Sequence, residues 1–157
     1  MISPHNDDIL VLIKAISENN LSKVKLLLPN KERINARRRY ECNPLHIAAS
    51  SGKIGIALYL LENGADINVK DREGTTPLHY AVLDSNLETI SFLVENGADV
   101  NAKRQDGKTP LYDAFVKNDF EIIRFLVENG ADVNAKRQDG KTPLYYYNFD
   151  GEIPGWD

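Results

Sequence analysis

The side chains here that titrate nearest neutrality or act most readily as nucleophiles are few: three histidines, His5, His46 and His79, and one cysteine, Cys42. A catalytic thiol needs a base within hydrogen-bond reach and a third group to orient that base. Cys42 lies beside Asn43 in a turn, no Cys-His-Asp arrangement can be assembled for it, and it reads as an ordinary thiol. His5 stands near the N-terminus with no partner in view. Gly107-Lys108-Thr109 and Gly140-Lys141-Thr142 echo the end of a phosphate loop, which needs another glycine five residues earlier, between a strand and a helix. Ala102 and Ala135 occupy those places, and a proline opens the helix that follows. No Cys/His pair has zinc spacing, and no Asp-x-Asp-x-Asp-Gly run would hold calcium. The expectation is a protein without catalysis, metal or cofactor, whose work is binding.

His46 and His79 belong to a pattern rather than to a site. Asn43-Pro44-Leu45-His46, Thr76-Pro77-Leu78-His79, Thr109-Pro110-Leu111-Tyr112 and Thr142-Pro143-Leu144-Tyr145 recur at intervals of 33 residues. So strict a period describes an array of like units in a row, with no single central core. Asn43, Thr76 and their equivalents can cap a helix, and proline at the first helical position lacks only an N–H that would be orphaned there. Apolar residues follow at helical spacing, as in Leu78, Ala81 and Val82. After a break at Gly52, Ser85 or Asn118 comes a second helical pattern: Ile54, Leu58, Leu60, Leu61; Leu87, Ile90, Leu93, Val94; Phe120, Ile123, Leu126, Val127. Gly64, Gly97 and Gly130 close these second helices, and residues 71–74 and 104–107 read as tight, hairpin-like turns. The expected fold is all-α, a helix–turn–helix solenoid with short β-hairpin-like loops.

The unit resembles the ankyrin repeat in its period, in Thr76-Pro77-Leu78-His79-Tyr80-Ala81, and in the phrase running through Gly-Ala-Asp-Ile/Val-Asn at residues 60–68, 93–101 and 126–134. The chain then divides into an N-terminal capping repeat at 5–40, full repeats at 41–73, 74–106 and 107–139, and a truncated repeat with an aromatic tail at 140–157. The first unit lacks the Thr-Pro phrase but keeps Leu12, Ala15, Ile16, Leu21, Val24, Leu27 and Leu28 at helical spacing. After Tyr145-Tyr146-Tyr147 the expected second helix is missing, and the tail is expected to fold over the open end as an improvised cap, the alternatives being fraying or pairing with another chain. Residues 92–112 and 125–145 are identical, which reads as a recent duplication. The resemblance implies that His46 and His79 make a structural hydrogen bond to the neighbouring turn. Tyr112 and Tyr145 depart from that histidine, so the C-terminal units are expected to open first.

The resemblance also implies a concave binding face lined by first helices and turn tips. The windows 36–42, 69–75, 102–108 and 135–141 hold eleven Lys and Arg against five Asp and Glu, in a chain whose net charge is −4. The turns are therefore basic and the body acidic, a distribution that would steer an acidic protein surface. Arg37, Arg38, Arg39, Lys70, Arg72, Lys103, Arg104, Lys108, Lys136 and Arg137 are the expected contacts at the tips, with Tyr40 beside them and Ile47, Tyr80 and Asp113 in the groove. Nucleic acid is disfavoured as a partner, since no reading helix or stacking platform is evident.

The leading reading is a non-catalytic protein-binding module, expected to be a monomer, with self-association through the truncated C-terminal end as an alternative. A second is a substrate: Asn68, Asn101 and Asn134 occupy the position that an iron-dependent oxygenase hydroxylates in similar repeats. A third is a host-directed effector of an intracellular bacterium or virus, suggested by near-identical repeats and Asn/Lys/Ile-rich text. The N-terminal residues show no basic leader, no apolar run is long enough to cross a bilayer, and a lone cysteine cannot form an internal disulfide. An intracellular, cytoplasmic setting is the expectation.

Overall fold

The computed structural model describes residues 4–35 and 42–143. Arg37, Arg38, Arg39, Tyr40 and the tail expected to cap the stack lie outside the described residues. Nine helices are formed among those described: α1 (Pro4–Ser17), α2 (Leu21–Leu27), α3 (Lys31–Asn35), α4 (Pro44–Ser50), α5 (Ile54–Glu62), α6 (Pro77–Leu83), α7 (Leu87–Glu95), α8 (Pro110–Val116) and α9 (Phe120–Glu128). The first helices stand in a row, α1 against α4, α4 against α6 and α6 against α8, and each packs on its own second helix, α2, α5, α7 or α9. This is the expected all-helical solenoid.

Local chemistry starts each first helix where the sequence says it should. Asn43 Oδ1 accepts from the Leu45 N–H at 3.0 Å, and Thr109 Oγ1 accepts from the Tyr112 N–H at 3.4 Å. Pro44, Pro77 and Pro110 follow these caps at the first helical positions. The short breaks after α1, α4, α6 and α8 turn on left-handed residues, three of them not glycine: Asn19, Gly52, Ser85 and Asn118 have φ of 55°, 65°, 54° and 53°. The helix α3 is an addition to the expected pattern. Asn30 Oδ1 caps it through the Arg33 N–H at 3.0 Å, and its Ile34 is fully buried.

The core is distributed along the row. Leu12, Ala15, Ile16, Val24, Leu28, Leu45, Ala48, Ile56 and Leu60 form one buried cluster, while Ala49, Leu78, Val82, Ile90, Leu93, Phe115, Ile123 and Leu126 belong to another. Adjacent alanines of α4 thus serve different clusters, and Phe92 packs against both. No strand occurs among the described residues. The hairpin-like turns at 69–75, 102–108 and 135–141, here called fingers, are each closed by two backbone bonds: Asp71 N–H to Thr75 O and Gly74 N–H to Asp71 O, both at 3.1 Å; Arg104 N–H to Lys108 O and Gly107 N–H to Arg104 O, both at 2.9 Å; and Arg137 N–H to Lys141 O at 2.9 Å with Gly140 N–H to Arg137 O at 3.0 Å. Successive fingers also touch, the Gln105 N–H donating to Glu73 O at 2.9 Å. The next approach, of the finger at 102–108 to that at 135–141, requires glycine: a Cβ on Gly107, at φ 82°, would lie 2.9 Å from Arg137 Cα.

Candidate interaction face

The histidines serve as locks between helix and finger. His46 Nδ1 accepts from the Asn43 N–H at 3.0 Å, which leaves its proton on Nε2 to donate to Val69 O and Thr75 O, each at 3.0 Å. His79 repeats the arrangement with the Thr76 N–H at 3.2 Å and Lys108 O at 3.2 Å. Burial lowers both imidazoles below their ordinary range, His79 to about 4, so each stays neutral as its bonding demands. At the third equivalent position Tyr112 is buried, its hydroxyl accepts from Arg137 Nη1 at 3.1 Å, and its ring lies 5.1 Å from the Arg137 guanidinium. Tyrosine thus reaches the next finger by another bond.

A second tether joins each of the first two fingers to the first helix that follows it. Tyr80 Oη–H donates to Asp71 Oδ2 at 2.8 Å, and the Cys42 thiol donates to the same phenol oxygen at 3.6 Å. One unit later, Arg104 Nη2 donates to Asp113 Oδ1 at 2.7 Å. Asp113 and Arg104, expected as partner contacts, are turned to each other instead: Asp113 is only 5% exposed and the Arg104 side chain 14%. Burial raises the Asp113 carboxyl to about 6 against the pull of Arg104 and Lys108.

Two ladders tie the units along the loop side. The Asn68 side chain accepts from the Asp99 N–H at 2.8 Å and donates to Gly97 O at 3.4 Å; Asn101 accepts from the Asp132 N–H at 2.7 Å and donates to Gly130 O at 3.0 Å. Asn134, next in the series, is exposed, and its side chain has no such bond among the described residues. Lys70 Nζ donates to Lys103 O at 3.3 Å, and Lys103 Nζ to Lys136 O at 3.1 Å. Gln105 Nε2 donates to Arg72 O at 2.7 Å. Lys70, Arg72, Lys103 and Lys136 are exposed, whereas Lys108 pairs with Asp106 at 3.1 Å and Arg137 with Asp139 at 3.7 Å. Ile47 is half-buried against the first core cluster.

Leu83 and Val116 are the residues that sequence reasoning missed. They end α6 and α8 and stand 42% and 54% exposed. Each lies three residues beyond a groove position, Tyr80 or Asp113, on the same helical face, and that spacing was the available signal. Lys117 Nζ donates to Leu83 O, which holds the end of α8 beside that of α6.

Among the described residues no group of three or more His, Cys, Asp and Glu is placed to hold a metal ion, and no helix is long and apolar enough to cross a membrane. No curated protein matches the chain. A family model for ankyrin repeats in three copies matches residues 68–137 and 101–147, and one for ankyrin repeats in many copies matches residues 27–81. Repeats of this kind are in general protein–protein interaction modules and generally non-catalytic. With the matched segments running from residue 27 to residue 147 over a stack of capped helix pairs, the chain belongs to the ankyrin-repeat family.

Proposed function

We propose that the chain is a non-catalytic docking module that holds another protein across the face made by its first helices and fingers. The carrying observation is the placing of Leu83 and Val116. Two large apolar side chains stand open to water, one unit apart, on the helical face that continues from the fingers. Most polar groups buried on that side are spent on internal bonds, His46, His79, Arg104 and Asp113 among them. The exposed Lys70, Arg72, Lys103 and Lys136 form a basic border suited to an acidic partner surface, with Arg37, Arg38, Arg39 and Tyr40 as further contacts beyond the described residues. Ile47 and Tyr80 add apolar area between, while Lys108 and Arg137 hold the fingers in shape. The test is affinity capture from the native cell, comparing the natural chain with Leu83→Asp/Val116→Asp. Loss of the captured protein in the variant supports the reading; capture unchanged by it removes this face as the docking surface.

A second reading draws on Asn134. The Asn68 and Asn101 amides are engaged between units, so an oxygenase would have to break a cross-unit bond to reach them. The Asn134 amide is already open to solvent. Exposure to an asparaginyl hydroxylase, followed by peptide mass analysis, should add one oxygen at Asn134 well before Asn68 or Asn101. No oxygen at any of the three would dispose of the substrate role.

A further inference from the structure

We propose that the occupant of the Leu83–Val116 face is an acidic amphipathic helix of a partner protein, lying across α6 and α8. Its apolar side would rest on those two residues and its carboxylates would point toward Lys103 and Lys136. The assignment rests on the docking role proposed above and names the chemistry of the partner.

Composition along the face changes in one direction. Nearest the fingers are the lysines; next come Tyr80 and Asp113, each bonded to its finger; one helical turn further stand Leu83 and Val116. Lys103 uses one of its three ammonium donors on Lys136 O, which leaves two for a carboxylate. Lys136 is exposed and its ammonium is bound to nothing among the described residues. Among the described fingers, charge concentrates over this part of the stack. The fingers at 102–108 and 135–141 each carry three cations against one carboxylate, whereas 69–75 carries two of each. The apolar strip is confined to the same place, since the residue equivalent to Leu83 in α4 is Ser50.

Dimensions favour a helix over an extended strand. A first helix of seven residues is about 10 Å long, close to the ~10 Å width of a helix laid across it. Neighbouring first helices stand roughly 8–10 Å apart. Apolar residues at i, i+4 and i+7 of a crossing helix, rising about 1.5 Å per residue, present a continuous stripe that spans that gap. A strand alternates its side chains between two faces and would turn half of them away. Asp84 and Lys117, exposed beside Leu83 and Val116, offset one another on the far border, so the unbalanced cations Lys103 and Lys136 draw the acidic edge of the partner toward the fingers.

The experiment is fluorescence anisotropy with labelled helical peptides of about fourteen residues, long enough to hold some helix in water. One carries a leucine stripe beside an edge of glutamates. A second has lysines for the glutamates, a third alanines for the leucines, and a fourth a central proline. The first should bind saturably, at least tenfold more tightly than the others, and lose at least tenfold on Lys103→Glu/Lys136→Glu and on Leu83→Asp/Val116→Asp. These positions are exposed, and circular dichroism should show every variant folded. Equal binding of the lysine or proline peptide, or affinity unchanged in the variants, overturns the assignment. If all four peptides fail while cellular capture stays sensitive to Leu83→Asp/Val116→Asp, the acidic helix is wrong and the docking face stands. If capture is insensitive as well, both fall.

Discussion

Arg104 and Asp113 occupy the positions that Asp71 and Tyr80 hold one unit earlier, and in both units the finger residue is bonded to the helix residue nine places on, at 2.7 Å and 2.8 Å. The chemistry differs, a phenol donating to a carboxylate in one and a guanidinium donating to a carboxylate in the other, while the geometry is kept. A buried ion pair adds little net stability over an apolar replacement, but removing one partner leaves the other charge stranded. Arg104→Ala should therefore destabilise the fold by about 3 kcal/mol, whereas Arg104→Met/Asp113→Leu should be close to neutral. Urea denaturation of the single and double variants checks this; additive losses would contradict a coupled pair.

Acid should act on His79 and Asp113 in opposite senses. The folded His79 is depressed from 6.5 to about 4, so its contribution is present above pH 6.5 and lost as the pH falls toward 4. The folded Asp113 is raised from 3.8 to about 6, so its contribution is full below pH 3.8 and lost as the pH rises through 6. Each amounts to roughly 3 kcal/mol at about 1.4 kcal/mol per pH unit, and between pH 6 and 4 they largely offset one another. Asp113→Asn removes one side of the balance. Its stability in urea should fall more steeply than that of the natural chain as the pH is lowered from 6 to 4. Parallel pH profiles would refute the opposition.

Gly97 and Gly107 both have left-handed backbones, at φ 95° and 82°, yet differ in what surrounds them. A Cβ on Gly97 meets open space, so Gly97→Ala should cost only the conformational penalty of about 1–2 kcal/mol. A Cβ on Gly107 runs into the backbone of the next finger at Arg137 and Gln138, so Gly107→Ala should cost clearly more and loosen the finger contact. Thermal denaturation of the two variants side by side decides it; equal losses would mean that the fingers are not held together.

Leu93 is wholly buried in the cluster that joins α6, α7, α8 and α9. Leu93→Ala should cost roughly 2–5 kcal/mol in a denaturant series. A loss below about 0.5 kcal/mol, the size of an ordinary surface change, would remove it from the core.

Tyr112 binds the next finger through both its ring and its hydroxyl. Tyr112→Phe should cost about 1 kcal/mol for the lost hydrogen bond, and Tyr112→Leu more, since the contact with Arg137 goes too. Amide exchange of the finger at 135–141 should quicken in the same order.

Sequence alone determined the paired helices and the caps of the first helices, because these depend on nearest neighbours along the chain: a side-chain oxygen before proline, apolar residues at helical spacing, a residue able to turn left-handed. The resemblance to the ankyrin repeat also implied that His46 and His79 were structural, and both are bonded to the neighbouring finger. Only the stacked structure decided which polar groups remain for a partner. Residues 29–34 apart in sequence meet across the stack, and their partners depend on which side chain the neighbouring unit happens to offer. Thus Asp113, equivalent in sequence to the groove positions Ile47 and Tyr80, disappears beneath Arg104, while Leu83 and Val116 emerge one turn beyond the positions that the repeat pattern singled out. Helix formation is a property of the segment, but exposure belongs to the assembled stack, where each unit is covered by the next.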